Sequence, residues 1–370
     1  MPFKNTLFVI LACLLQVSRV YTQSALSPAE VRSEIRLTPT ASYGFILPHH
    51  PEMKVFSNRH FSLFELSLSR VTAGSLPWHH AYGFPETGVA YLYSDLGNTG
   101  ILGSVNALCP YVDFPLIKGE EARLGFRFGA GLGWFSRTFH PFDNYKNTAI
   151  GSHLNAIIAM KILGEFRLNA YTGLRAGFSF IHFSNGSTRV PNYGINICAL
   201  EGGVAVSLRR GSPLPYEAPL PEVKFHPEYH FVLSAGVKEI FPVGGEMYPV
   251  FNLAVTALSP VNRHFIAGIG VDIGYDQSDE EILQRKGIPF SGPEEVVKYA
   301  ANAAGGIRMG KLDVCLHAGV YLYQKENSEG SIYDKIVVNY AFSKHWLLNL
   351  TLKTHFARAD FIAGGLGYKL

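Results

Sequence analysis

The sequence predicts an all-β protein, an antiparallel transmembrane β-barrel of about 14 strands within a range of about 12 to 16, even numbers being the rule for bacterial barrels. Three observations carry this. Long segments alternate apolar residues with polar or small ones; beyond the N-terminal segment no run of apolar residues is long enough for a helical span; and that N-terminal segment is built like an export signal.

The export signal comes first in the chain. Lys4 supplies its positive charge, and Leu7 to Leu15 form an apolar core too short to cross a bilayer. The expected division is a signal peptide over residues 1–24 and one outer-membrane barrel over 25–370. No Ala-x-Ala site fixes the cleaved bond between Val20 and Ala25, and Leu14 and Leu15 after Cys13 make a poor lipoprotein box.

Composition agrees with a wall that meets lipid. Charged residues are 16% of the chain, below the roughly 25% of soluble domains, while aromatics reach 13% and glycine numbers 37. A net charge of +3 with no Lys/Arg block excludes nucleic acid as a partner class. Cys109, Cys198 and Cys315 are too far apart for a zinc pattern and make no disulfide framework, so they read as apolar residues.

The alternation is clearest from Ala122 to Trp134. Its even positions are Ala122, Leu124, Phe126, Phe128, Ala130, Leu132 and Trp134; its odd positions are Arg or Gly throughout. Successive side chains of a strand point to opposite faces, so one face is apolar and the other polar or small. The pattern returns at Phe265–Ile273, Leu312–Leu322 and, less purely, Trp346–Leu352. A soluble β-sandwich alternates in the same way. Strand length, the Gly- and charge-rich second face and the export signal favour the barrel. Leu366, Tyr368 and Leu370 share one face of the last strand, which resembles the assembly signal of outer-membrane proteins. Asp276–Val297 reads as a polar surface loop with a helical turn. The stretch Arg209–Lys224, with Pro213, Pro215, Pro219 and Pro221, joins two strands within one domain.

The segment Phe178–Glu201 carries the chemistry. Leu168, Ala170, Leu174, Ala176, Phe178 and Phe180 are its apolar, lipid-facing set, and His182 and Ser184 fall on the same parity. Two residues apart on one strand, they point the same way. A serine hydroxyl becomes a nucleophile when an imidazole takes its proton, and the imidazole needs a third group to hold its tautomer. After a turn the next strand begins near Ile195. Asn196 is the one polar residue at the start of its lipid face, whereas the parity of Glu201 turns that carboxylate inward. Asn196 is therefore the expected third member.

His182-Phe183-Ser184-Asn185-Gly186, followed by Pro191-Asn192-Tyr193-Gly194-Ile195, resembles the lipid A 3-O-deacylase family of PagL-type acyloxyacyl hydrolases. The resemblance implies a barrel strand bearing His and Ser, completed by a Glu beyond the turn; Asn196 stands in that place here. The segment is also similar to the outer-membrane phospholipase A family, whose His, Ser and Asn have the spacing of His182, Ser184 and Asn196. The turn Pro191-Asn192-x-Gly194 favours the deacylases. By the same resemblance the oxyanion would lie near the Asn185 side chain and the Gly186 backbone N–H.

These readings imply an ester hydrolase of the outer membrane, with its motif over residues 182–196, that removes an acyl chain from lipid A. Phospholipid is the rival substrate. No metal or other cofactor is expected, calcium being required only for a phospholipase. A non-catalytic porin-like or surface barrel is the alternative of another class. The expected partners are the membrane and its lipid, with a homodimer left open. The pairs His49-His50 and His79-His80 make no metal site alone, because neighbours on a strand point apart. Asp279-Glu280-Glu281 reads as a solvated acidic loop.

Overall fold

The computed structural model describes residues 33–57, 59–211, 222–356 and 358–370. The export signal and Pro213, Pro215, Pro219 and Pro221 lie outside the described residues.

The strands of the first half are β1 (Ile35–Ile46), β2 (His60–Val71), β3 (Glu86–Ser94), β4 (Val105–Lys118), β5 (Ala122–Phe135), β6 (Leu154–Arg167), β7 (Thr172–Ser184) and β8 (Ile195–Arg209). Those of the second are β9 (Glu228–Glu239), β10 (Met247–Pro260), β11 (Phe265–Asp276), β12 (Lys298–Met309), β13 (Leu312–Tyr323), β14 (Ile332–Ala341), β15 (Trp346–His355) and β16 (Arg358–Lys369). All neighbours are antiparallel. β8 returns to β1, pairing Val206 with Leu37, and β16 returns to β9, pairing Leu366 with Leu233.

The sheet thus closes twice. The expected single barrel of about 14 strands gives way to two closed eight-stranded barrels, β1–β8 and β9–β16. Alternation reports which face each side chain takes; it does not report which strand closes on which. Both barrels obey the same rule of parity, so the pattern continues on both sides of their connection.

In both barrels the apolar parity faces outward. Leu200, Leu233, Ile269 and Leu316 are all more than 60% exposed, which in a wall of this length is a lipid-facing surface. Exposed aromatics mark two belts. Tyr43, Trp134, Tyr299 and Tyr323 lie at one end, and Phe166, Tyr171, Trp346 and Tyr368 at the other. No helix among the described residues is long and apolar enough to cross a membrane. Tight turns such as 119–121, 168–171, 261–264 and 342–345 gather at one end, while most long loops gather at the other. The expected polar loop after β11 contains the helix Ser278–Arg285.

The interior of the first barrel has two layers. Toward the long loops, Phe61, Val105, Phe135, Ile157, Ile181, Phe183, Ile195 and Ile197 fill it with apolar side chains under Met53, Leu102 and Ile150. Below lies an ionic layer: Lys161 bridges Glu65 at 2.7 Å and Glu201 at 3.0 Å, while Arg175 reaches Glu86 and Glu165 at 2.7 Å each. Breaking one side of such a buried pair costs about 3–5 kcal/mol. Both layers plug the lumen and stiffen the wall from which the site projects.

Candidate active site

β7 alternates as its sequence requires. Arg175, Ser179, Ile181 and Phe183 are buried inside the barrel, and Leu174, Phe178, His182 and Ser184 lie on the outer face. The register sets His182 opposite Asn196 of β8 and Ile158 of β6, with Ala156 opposite Ser184. An outward site at the long-loop rim results, flanked by apolar side chains.

His182 Nδ1 and Asn196 Oδ1 are 2.6 Å apart. Glu201 is inside, bonded to Lys161, as its parity requires. The Ser184 hydroxyl accepts hydrogen bonds from the Asn192 side-chain amide at 2.8 Å and from the Gly186 backbone N–H at 3.2 Å. The resting hydroxyl is turned toward these donors, and among the described residues none hydrogen-bonds His182 Nε2. Such contacts commonly tighten only when substrate is bound.

The turn after β7 brings the donors together. Asn192 Oδ1 accepts the Asn185 backbone N–H at 3.2 Å, which aims the other end of its amide at Ser184. Asn185 itself is buried and spends its side-chain N–H groups on Ser152 Oγ at 2.9 Å and the Arg189 carbonyl at 3.0 Å. Its side chain therefore braces the turn rather than facing the hydroxyl. Of the two groups expected to hold an oxyanion, the Gly186 N–H addresses the Ser184 hydroxyl and the Asn185 side chain does not; the second donor to that hydroxyl is the Asn192 amide. The sequence marks Asn192 only as a turn residue, because its reach depends on the fold of the whole loop. Gly194, at φ +75°, closes the turn against His182: a Cβ there would come within 3.0 Å of His182 Cε1 and 2.8 Å of the Phe183 carbonyl. Pro191 is buried in the same loop.

Two elements distant in sequence complete the surroundings. On the loop between β1 and β2, His49 Nδ1 accepts from Asn196 Nδ2 at 3.0 Å, and its Nε2 bonds the Tyr193 carbonyl at 2.7 Å. The only signal in the sequence is the pair His49-His50, and the partners of His49 come from β8 and the turn before it, about 150 positions away. The second barrel also reaches the turn. Glu239 Oε2 accepts Val190 N–H at 2.9 Å, Glu239 N–H donates to the Ser187 carbonyl at 3.0 Å, and Ser187 Oγ donates to the Ala359 carbonyl at 2.7 Å. Gly186, at φ +61°, lies against Ile362 so closely that a Cβ would collide with it.

Among the described residues no group of three His, Cys, Asp or Glu side chains could hold a metal. Cys109, Cys198 and Cys315 are free.

Residues 63–205 match the family model "Lipid A 3-O-deacylase (PagL)", and residues 227–370 match "Acyloxyacyl hydrolase, C-terminal domain". No curated protein matches the chain. Among solved structures, the outer membrane enzyme PagL is 20% identical over 45% of this chain and 97% of that one, with a TM-score of 0.32. A mutant of the Rh. blastica porin is 8% identical over 91% of this chain and 100% of its own, with a TM-score of 0.19. Together the two family models cover most of the first barrel and all of the second, and the chain belongs to the lipid A 3-O-deacylase (PagL) family of acyl ester hydrolases.

Proposed function

We propose that this chain hydrolyses an acyl ester of lipid A at the outer rim of its first barrel, with Ser184 as nucleophile, His182 as base and Asn196 as the orienting group. The observation that carries this reading is the 2.6 Å bond between His182 Nδ1 and Asn196, beside a Ser184 hydroxyl that two N–H donors already address.

In the first step Ser184 Oγ turns toward His182, gives its proton to Nε2 and attacks the ester carbonyl. The carbonyl oxygen gains the negative charge beside Gly186 N–H and the Asn192 amide, donors held in place before the reaction begins. The imidazolium keeps its Nδ1–H on Asn196 Oδ1 and returns the Nε2 proton to the departing sugar hydroxyl. Water then repeats the sequence on the acyl-serine, releasing the fatty acid. Because the site opens on the lipid face, an acyl chain reaches Ser184 laterally, without leaving the bilayer.

Phospholipid is the second reading, favoured by one feature: the third member is a carboxamide, as in the phospholipase resemblance, rather than a carboxylate. Purified protein incubated with lipid A and, separately, with phospholipid tests both, with Ser184→Ala as control. Release of 3-hydroxy fatty acid from lipid A, abolished by Ser184→Ala, is the expected result. Release from phospholipid alone, stimulated by calcium, replaces the substrate. Release from neither, with ion conductance in a planar bilayer, overturns the hydrolase in favour of a pore.

A further inference from the structure

We infer that His49 is a positioning residue that sets the tautomer of His182 through the Asn196 carboxamide; the inference rests on the proposed roles of Ser184 and His182. Its basis is a hydrogen-bond chain whose direction is fixed at one end. The Tyr193 carbonyl can only accept, so His49 Nε2, 2.7 Å away, carries a proton. In neutral imidazole the other nitrogen is then a lone pair, and His49 Nδ1 accepts at 3.0 Å from Asn196 Nδ2. With its amino group committed to His49, Asn196 presents Oδ1 to His182, and His182 Nδ1, at 2.6 Å, must be the protonated nitrogen. The lone pair is then left on Nε2, as a general base requires.

The need for such a device follows from the residue present. A carboxylate accepts through either oxygen and cannot be turned the wrong way. A carboxamide can: rotated by half a turn it offers Nδ2–H to His182 and forces the proton onto Nε2, the wrong tautomer. His49 is well held for the task. Leu47 N–H donates to the Asn196 carbonyl at 2.8 Å, tying the loop to β8 at the residue being oriented. The His50 ring lies 4.8 Å from that of His49 and 4.7 Å from that of Tyr193.

The test measures lipid A turnover by the full chain carrying His49→Ala, Asn196→Asp or both, with 15N chemical shifts of the His182 ring as a second readout. His49→Ala is expected to lower kcat about tenfold with KM nearly unchanged, the scale of one lost orienting hydrogen bond. In the Asn196→Asp background, where the oriented group is a symmetric acceptor, the same change is expected to cost about threefold or less. The His182 shifts should report Nδ1–H in the native chain and a mixture of tautomers in His49→Ala. Equal losses in both backgrounds, no loss at all, or an unchanged His182 tautomer overturns the inference; should Asn196→Asp itself be inactive, the tautomer readout decides. Turnover that survives Ser184→Ala overturns the underlying hydrolase reading instead.

Discussion

The side-chain amide of Asn192 reaches back across its turn and donates a 2.8 Å hydrogen bond to the Ser184 hydroxyl. An acyl group bonded to that hydroxyl would place its carbonyl oxygen beside the same donor. Loss of one oxyanion donor typically lowers kcat by about 10²–10³, and Asn192→Ala is expected to do so with little change in KM. Asn185→Ala should act differently. Its side chain bonds Ser152 and the Arg189 carbonyl, so the variant loosens the turn and lowers thermal stability more than it lowers kcat. Steady-state kinetics and melting curves of the two variants decide between the donors; a larger kcat loss in Asn185→Ala would return the role to that residue.

Gly194 is a second point where the proposed chemistry depends on backbone. Its φ of +75° disfavours any side chain, and a Cβ would press on His182 Cε1 at 3.0 Å. Gly194→Ala is expected to displace the imidazole and lower kcat about a hundredfold, because small misplacements of a catalytic group are costly. The barrel itself should persist, which the native-like heat-dependent shift in gel mobility would report. Full activity in this variant would mean that the ring position is not limiting.

The contrast between Asn192 and Glu201 shows what could be read from the chain alone. Parity fixed the face of every strand residue, since side-chain direction in a strand repeats every second position. It placed His182, Ser184 and Asn196 outward and Glu201 inward without any tertiary information. The positions of Asn192 and Asn185 depend on a turn of about ten residues stabilised by contacts to Ser152 and to the second barrel, and no periodicity encodes those. His49 was hidden for a related reason: its loop meets β8 only because β1 closes the first barrel. Closure also escaped the sequence, since pairing β8 with β1 rather than β9 leaves every residue's parity unchanged.

At the short-turn end, the loop 72–85 is latched to the second barrel. Tyr82 OH donates to the His264 carbonyl at 2.8 Å, and His264 Nε2 bonds the Ala81 carbonyl at 2.6 Å. The neighbouring His79 is buried in the short helix Pro77–Ala81, and burial, with Arg70 and His80 nearby, pushes its pKa down to about 4. A histidine whose folded pKa lies below its ordinary 6.5 favours the neutral ring, so the fold gains nothing from it in acid and loses stability as pH falls from about 6.5 toward 4. Backbone hydrogen exchange in residues 72–85 is expected to accelerate between pH 7 and pH 4.5 once corrected for the intrinsic rate. His79→Phe, which keeps the ring and removes the titration, should flatten that dependence; an identical pH response in both proteins would assign it elsewhere.

The second barrel holds the turn that carries the proposed oxyanion donors, and Glu239 is the centre of that hold. Its side chain is almost fully buried, accepts Val190 N–H at 2.9 Å and Gly244 N–H at 2.6 Å, and lies 3.8 Å from the Arg189 guanidinium. Its own N–H bonds the Ser187 carbonyl at 3.0 Å, one residue beyond Gly186. Glu239→Ala removes the shared acceptor of those two amides and frees the segment that positions Gly186. Activity is therefore expected to fall about tenfold or more, an effect on preorganised donors rather than on the nucleophile. The informative control is Glu228→Gln at the other end of the same strand, where Glu228 pairs with Arg308 at 2.8 Å and Lys369 at 3.4 Å. Both variants weaken the second barrel, so both should unfold at lower urea concentration, but only Glu239→Ala should lower kcat. Parallel losses of kcat in the two would make the second barrel a general support for the fold; a loss confined to Glu239→Ala makes it part of the site.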